Sequence, residues 1–228
     1  MSLIIILKII NLMRKINLLK ALPKTKRLIN ERFLNKSKKI IKISRQYGRQ
    51  YFDGSRKYGY GGYYYDGRWI KVAEYIKKKY RLKKNSKVLD IGCAKGFLVK
   101  DLLDQGVDAY GLEISNYAIE NSMPETYGRL HKGSAKRLPF PNKSFDLVLA
   151  INVIHNLSKQ DCLKAIKEIV RVSKKNSFIQ VDAYNNLKEK AICKKWILTA
   201  KYYDYPKNWI KLFKKAGYKN DYYWTVIK

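Results

Sequence analysis

Two carboxylates stand at the ends of short apolar runs in this 228-residue chain, and their spacing limits what they can bind. Asp90 lies inside VLDIGCAKG (88–96), two positions before Gly92, and Glu113 follows DAYGL 23 residues after Asp90. An apolar run that exits into small residues suits the first strand-to-helix turn of a parallel sheet. There the backbone passes close to a ligand, and the next helix turns its free N–H groups toward it. A dinucleotide would need G-x-G-x-x-G, which from Gly92 puts the third glycine at position 97, and that residue is Phe97. Asp90 would also repel a pyrophosphate, whereas it would attract an ammonium or a sulfonium. Glu113 can accept both hydroxyls of a ribose. A nucleoside with a positively charged tail fits both acids.

The elements that must hold these residues follow from periodicity. KVLDIG (87–92), DAYGLEI (108–114), SFDLVLAINV (144–153) and SFIQVDAY (177–184) read as buried strands, with GRLHKG (128–133) a candidate third strand and YYWTVIK (222–228) a last one. Between them, FLVKDLLDQG (97–106), SNYAIENS (115–122) with Ser115 as N-cap, Lys159 to Val172 and PKNWIKLFKKAG (206–217) read as helices. Strand and helix alternating in this way indicate an α/β fold whose mostly parallel sheet is covered on both faces. Upstream, WIKVAEYIKKKY places Trp69, Val72, Ala73, Ile76 and Tyr80 on one helical face. The chain divides into a basic N-terminal extension (1–50), a Tyr/Gly-rich segment (51–67) and the α/β domain (68–228).

Composition bounds the rest. Apolar residues at 46% exclude a disordered solvating chain. Lys+Arg is 49 against 18 acids, and residues 1–84 hold 24 basic and 4 acidic residues. Lysine outnumbers arginine 38 to 11, and Lys, Asn and Ile abound even where there is no motif. Codon bias would give the same balance, so the charge is read first as solvation. A face for nucleic acid or anionic lipid is the alternative. Cys93, Cys162 and Cys193 are far apart, which argues against a disulfide scaffold or zinc site and fits a reducing, cytoplasmic setting. The apolar start MSLIIILKIINL is too short for a transmembrane segment and lacks the order of a signal peptide. An amphipathic helix with weak membrane-surface association, or a true start at Met13, remain open for it.

VLDIGCAKGFL resembles motif I of the class I S-adenosylmethionine-dependent methyltransferases, and YGLEIS resembles their acidic ribose-binding strand end. GSAKRLPFPNKSFDLVLAINVIHNL (133–157) is similar to the stretch around their fourth strand, so the resemblance covers about residues 68–228. It implies a Rossmann-like class I methyltransferase fold and S-adenosyl-L-methionine as cofactor. By resemblance, Gly92, Cys93, Ala94 and Gly96 form the turn that holds the methionine part. Glu113 takes the ribose with Ile114 beside it, Ser134 and Ala135 flank the adenine, and Asn152 and Val153 line the floor of methyl transfer. Ala94 replaces the usual middle glycine, and Ser134 stands where an aspartate is common. The segment from Tyr51 resembles the GYGGYxYDGRW stretch of a subset of these enzymes. There Arg68 could pair with the cofactor carboxylate, while Tyr60, Tyr63, Tyr64 and Tyr65 either cover the pocket or pack an N-terminal helix.

Methyl transfer needs alignment above all, and a base only for a protonated acceptor. The chain has two histidines, and His155, three residues after Asn152, is the candidate base. Asp182, after the fifth strand, is the second candidate; His131 and Asp146 read as structural. Asn152-Val153-Ile154-His155 lacks the prolines and aromatic of [DN]PP[YF], which speaks against exocyclic base amines and glutamine amides as acceptors. The expected reaction is methylation of an O or N atom on a small-molecule or sugar-type acceptor. The rivals are an RNA or protein methyltransferase docking through its basic N-terminal region, and a cofactor-binding partner subunit without turnover.

Overall fold

The computed structural model describes residues 13–23 and 26–228, so the readings made for residues 1–12 lie outside the described residues. Three short helices come first: α1 (Ile29–Leu34), α2 (Lys38–Ser44) and α3 (Arg49–Phe52). After them α4 (Ile70–Tyr80) leads into β1 (Lys87–Ile91), α5 (Phe97–Asp104), β2 (Asp108–Glu113), α6 (Asn116–Glu120) and β3 (Leu130–Lys132). The second half runs β4 (Phe145–Ile151), α7 (Lys159–Val172), β5 (Ser173–Asp182), α8 (Leu187–Trp196), α9 (Pro206–Lys215) and β6 (Asp221–Thr225).

The six strands form one sheet in the order β3-β2-β1-β4-β5-β6, and every neighbouring pair is parallel. This is the α/β Rossmann-like arrangement that the sequence resemblance implies. Its central strands can be apolar throughout because helices cover both faces. In β4, Leu147, Val148, Leu149 and Ala150 are all buried, alternating between two cores. Val148 and Ala150 face α7 and α9, whereas Leu147 and Leu149 face α4 and α5.

Helix α7 shows why the sequence folds this way locally. Ser158 Oγ accepts from the Asp161 N–H and stops the chain extending upstream. Cys162, Ala165, Ile166, Ile169 and Val172 then recur at helical spacing and are buried in the core. Ser115 likewise caps α6, accepting from the Ala118 N–H at 3.0 Å.

Two elements differ from expectation. β5 starts at Ser173 rather than near 177, because Phe145 pairs with Ser173 across an irregular register and the exposed Lys174 and Lys175 are carried along. Helix α8 lies where the sequence shows no helical stripe; Asn186 caps it, and only Cys193 within it is buried. At the sheet edge, the Ile16 N–H donates to the Tyr222 carbonyl and the Tyr222 N–H to the Arg14 carbonyl. Arg14 also forms a two-pronged pair with Asp221 at 2.9 and 3.0 Å. No helix among the described residues is long and apolar enough to cross a membrane.

Leu149→Ala, at a position with 0% exposure, is expected to cost about 2–5 kcal/mol. A urea melt should show a lower midpoint with the same slope; an unchanged midpoint would place Leu149 outside the load of the core.

Candidate functional site

The strands end in a cleft of about 1160 Å3 lined by Gly92, Glu113, Asn152 and Asp182, each at or just beyond the carboxyl end of its strand. Gly92 sits at φ +74°, and a Cβ there would lie 2.4 Å from Val153 Cγ2. The β1 turn is thus pressed onto the exit of β4, with no room for a side chain between them. Ala94, in place of the family's middle glycine, also adopts a left-handed φ of +52°. Its methyl group accepts a conformation that glycine takes without cost. Gly96, at φ +78°, starts α5.

Asp90 is 6% exposed and lines the cleft. Among the described residues, no hydrogen bond or ion pair reaches its carboxylate. Burial, and then the neighbouring Glu113 carboxylate, push its pKa up to about 8. A buried acid left without a partner is completed by a cation, so the site fits the ammonium end of S-adenosylmethionine. Glu113, 7% exposed, is better satisfied. Its Oε1 accepts from the N–H groups of Ile114 and Ser115 at 2.8 and 2.9 Å, and its Oε2 from that of Ala94 at 2.9 Å. Burial raises its pKa while these three donors oppose the rise. Oε2 has one donor and keeps capacity for a hydroxyl.

The remaining expected cofactor residues lie along the same cleft. Cys93 packs in the turn, its thiol pushed well up by burial, so it is a filler rather than a nucleophile. Ile114 is exposed beside Glu113, while Ser134 and Ala135 follow β3 and line the wall. Asn152 takes φ +55° at the end of β4, and its Oδ1 accepts from Thr225 Oγ1 at 2.8 Å. Thr225 in turn accepts from Gln180 Nε2 at 2.9 Å, so three strand ends fix this floor. Arg68 reaches the rim, but its guanidinium is engaged by Asp66, with Nε at 2.8 Å from Oδ1.

His155 and Asp182 meet on the far side. The Asp182 N–H donates to His155 Nδ1 at 2.9 Å, and Asp182 Oδ2 lies 3.7 Å from the same nitrogen. A neutral imidazole that accepts at Nδ1 carries its proton on Nε2. His155 thus stands at the lining of the cleft with its Nδ1 occupied. Asp182 is buried, which pushes its pKa up, and the indole N–H of Trp209 holds its backbone carbonyl at 3.1 Å.

The Tyr/Gly segment closes the cleft over the β1 turn. Tyr63 stacks on Phe97 with centroids 4.7 Å apart, and Tyr60 lies against Tyr51 and Phe52. Asp53 anchors this aromatic group by accepting from Lys95 Nζ, the Tyr117 hydroxyl and the Tyr63 N–H at 2.7, 2.6 and 3.1 Å. Tyr65 donates to Asp101 at 2.6 Å, while Tyr64 is exposed. The tyrosines thus both pack and line. Tyr47, Arg32, Arg45, Arg56 and Trp196 also line the cleft, and sequence reading missed them. Arg32 lies on the six-residue α1, Arg45, Tyr47 and Arg56 lie between or after the short helices α2 and α3, and α8, which carries Trp196, has no apolar stripe, so no local signal marks them.

The methyltransferase domain model matches residues 89–181. The chain is 30% identical over 125 residues to the uncharacterized methyltransferase YcgJ of Bacillus subtilis, covering 52% of this chain and 46% of the relative. It is also 30% identical over 126 residues to the sterol 24-C-methyltransferase erg6 of Aspergillus fumigatus, covering 49% of this chain and 33% of that protein. The crystal structure of YcgJ superposes with a TM-score of 0.53 at 18% identity, covering 66% of this chain and 68% of that one, which supports the fold. The chain spans between about a third and a half of the length of the curated relatives it matches. Residues 89–181 thus match a methyltransferase domain.

An unfolded aspartate loses its proton near pH 4, whereas folded Asp90 holds it to about 8. The unliganded fold therefore loses stability as pH rises between those values, and Asp90→Asn should remove that slope. An ammonium beside Asp90 favours the carboxylate, so ligand binding must expel a proton. Calorimetry with S-adenosylhomocysteine near pH 6.5, in two buffers of different ionisation enthalpy, should report release of about one proton. Identical heats in both buffers would separate Asp90 from the ammonium.

Proposed function

We propose that the protein transfers a methyl group from S-adenosylmethionine to an O or N atom of a small-molecule or sugar-type acceptor. The observation that carries this reading is the division of one cleft: Asp90 and Glu113 on the cofactor side, with His155 and Asp182 beyond Asn152. When bound, the cofactor supplies a methyl group activated by a sulfonium. Asp90 would hold its ammonium and Glu113 its ribose hydroxyls. The Gly92–Gly96 turn would enclose the methionine part, with Ser134 and Ala135 beside the adenine.

His155 would orient the acceptor by donating from Nε2. Asn152 and Val153 would form the floor on which the acceptor oxygen or nitrogen is aligned with that methyl group. The acceptor proton, where there is one, passes to Asp182, whose raised pKa brings it nearer to neutral and makes it a better base than a solvated carboxylate. The sterol 24-C-methyltransferase among the relatives is named for a small acceptor, which supports the size class and not the atom. The Tyr/Gly segment, which walls the cleft over the β1 turn, supports the same class. The three free, buried cysteines suit a reducing compartment and support a cytoplasmic setting.

The test uses methyl-labelled cofactor with host extract separated beforehand into metabolites, RNA and protein. Label is expected in the metabolite fraction; label confined to RNA or protein would refute the small-acceptor reading. Asp182→Asn should lower kcat on a hydroxyl acceptor by about a hundredfold or more, with unchanged S-adenosylhomocysteine affinity. It should also remove the acid limb of the pH–rate profile. A full-rate variant would clear Asp182 of the base role.

A further inference from the structure

The cleft holds charge that the methyl-transfer reading does not use. Its carboxylates, Asp90, Glu113 and Asp182, sit at strand ends, but its opposite wall, from the N-terminal segment, carries arginines. Arg32 and Arg56 both donate to the Gly59 carbonyl, at 3.1 and 2.8 Å. Both guanidinium groups also lie over the Trp196 ring, 4.3 and 5.7 Å from its centroid. Arg45 approaches the Ala200 carbonyl from the same wall at 3.5 Å. Among the described residues, none of the three forms an ion pair with a carboxylate.

These contacts orient the guanidinium groups without neutralising them. Arg32 also donates to the Arg56 carbonyl and Arg56 to the Tyr60 carbonyl, but a guanidinium has five N–H groups to offer, so each keeps free donors. Two such groups converging on one carbonyl repel each other, and burial adds to the cost. The effect shows in Arg32, whose pKa is lowered to about 10 by burial and by Arg56. Lys36, held by the carbonyls of Lys194 and Ile197, is likewise lowered by burial, Arg32 and Arg45. A doubly charged oxyanion would relieve the repulsion and match the fork geometry of arginine.

Building on the proposed function, we propose that the acceptor carries a phosphate or carboxylate group, and that Arg32, Arg56 and Arg45 bind it on the wall of the cleft opposite the strand ends. The three arginines then select an anionic substrate and hold it between the Trp196 side and the Asp182 side. The position inside a walled cleft distinguishes this cluster from the lysine-rich surface, such as Lys77, Lys78 and Lys79 on α4.

Calorimetry with inorganic pyrophosphate and with citrate, each with and without S-adenosylhomocysteine, tests the proposal and tells phosphate from carboxylate preference. Saturable binding of one anion at a single site is expected. R32Q/R56Q should weaken it by roughly tenfold or more and R45Q by severalfold, with cofactor-product affinity unchanged. K83Q/K84Q, which removes two exposed charges outside the cleft, should bind as wild type does. No saturable binding, or an equal loss in K83Q/K84Q, would overturn the anion site. If R32Q/R56Q lacks a cooperative melt, R45Q decides, and wild-type affinity in that variant overturns the proposal. Wild-type protein that fails to bind S-adenosylhomocysteine would remove the proposed function instead, while the titrations without it still judge the anion site.

Discussion

Between β1 and β4 the order of strands reverses, and everything at the site depends on that reversal. The chain leaves β1 toward one half of the sheet and β4 toward the other, so no connection covers the gap between their carboxyl ends. The two exits are pressed together all the same, since Gly92 leaves only enough space for the Val153 side chain. A crevice so narrow at its floor and open above is lined by whatever follows each strand. Here those residues are Asp90 with its turn, Glu113, Asn152 and Asp182.

Burying carboxylates in that crevice costs stability unless something compensates. Glu113 is compensated from within by three backbone donors, which oppose the upward push of burial and leave it ready-shaped. Asp90 is not, and the fold carries an unfinished electrostatic site there. The two acids thus differ in role through their surroundings and not their chemistry: one is preorganised, the other waits for its counter-charge. Asp182 is a third case, beside a histidine whose Nδ1 is already taken by the Asp182 backbone.

Much of this was legible in the sequence, and the reason is local. β1, β2 and β4 are short apolar runs that end in glycine, glutamate or asparagine, and α7 has its cap and stripe within 15 residues. Asp90 and Glu113 could be assigned a ligand charge from spacing alone. The ring nitrogen that His155 presents could not, because it depends on a hydrogen bond to a strand 27 residues away. Arg68 shows the converse: its guanidinium suits a carboxylate, and the carboxylate it finds is Asp66, two residues earlier. The arginine part of the wall was invisible for a further reason. Arg32 lies on the six-residue α1, Arg45 and Arg56 lie just after α2 and α3, and segments so short leave no periodic trace.

Residues 14–16 give the sheet a property that matters away from the cleft. β6 is the last strand, and an edge of unpaired N–H and C=O groups is a template on which another chain can add a strand. The Arg14 and Ile16 backbone groups occupy both hydrogen-bonding positions of Tyr222, and Arg14 fastens the cover through Asp221. At the opposite border β3 is only three residues long and carries His131 and Lys132 on its exposed side. At one border residues 14–16 cover Tyr222, and at the other the strand is only three residues long and polar. The basic lead-in segment therefore occupies part of an open strand edge, the place where a second strand would otherwise add.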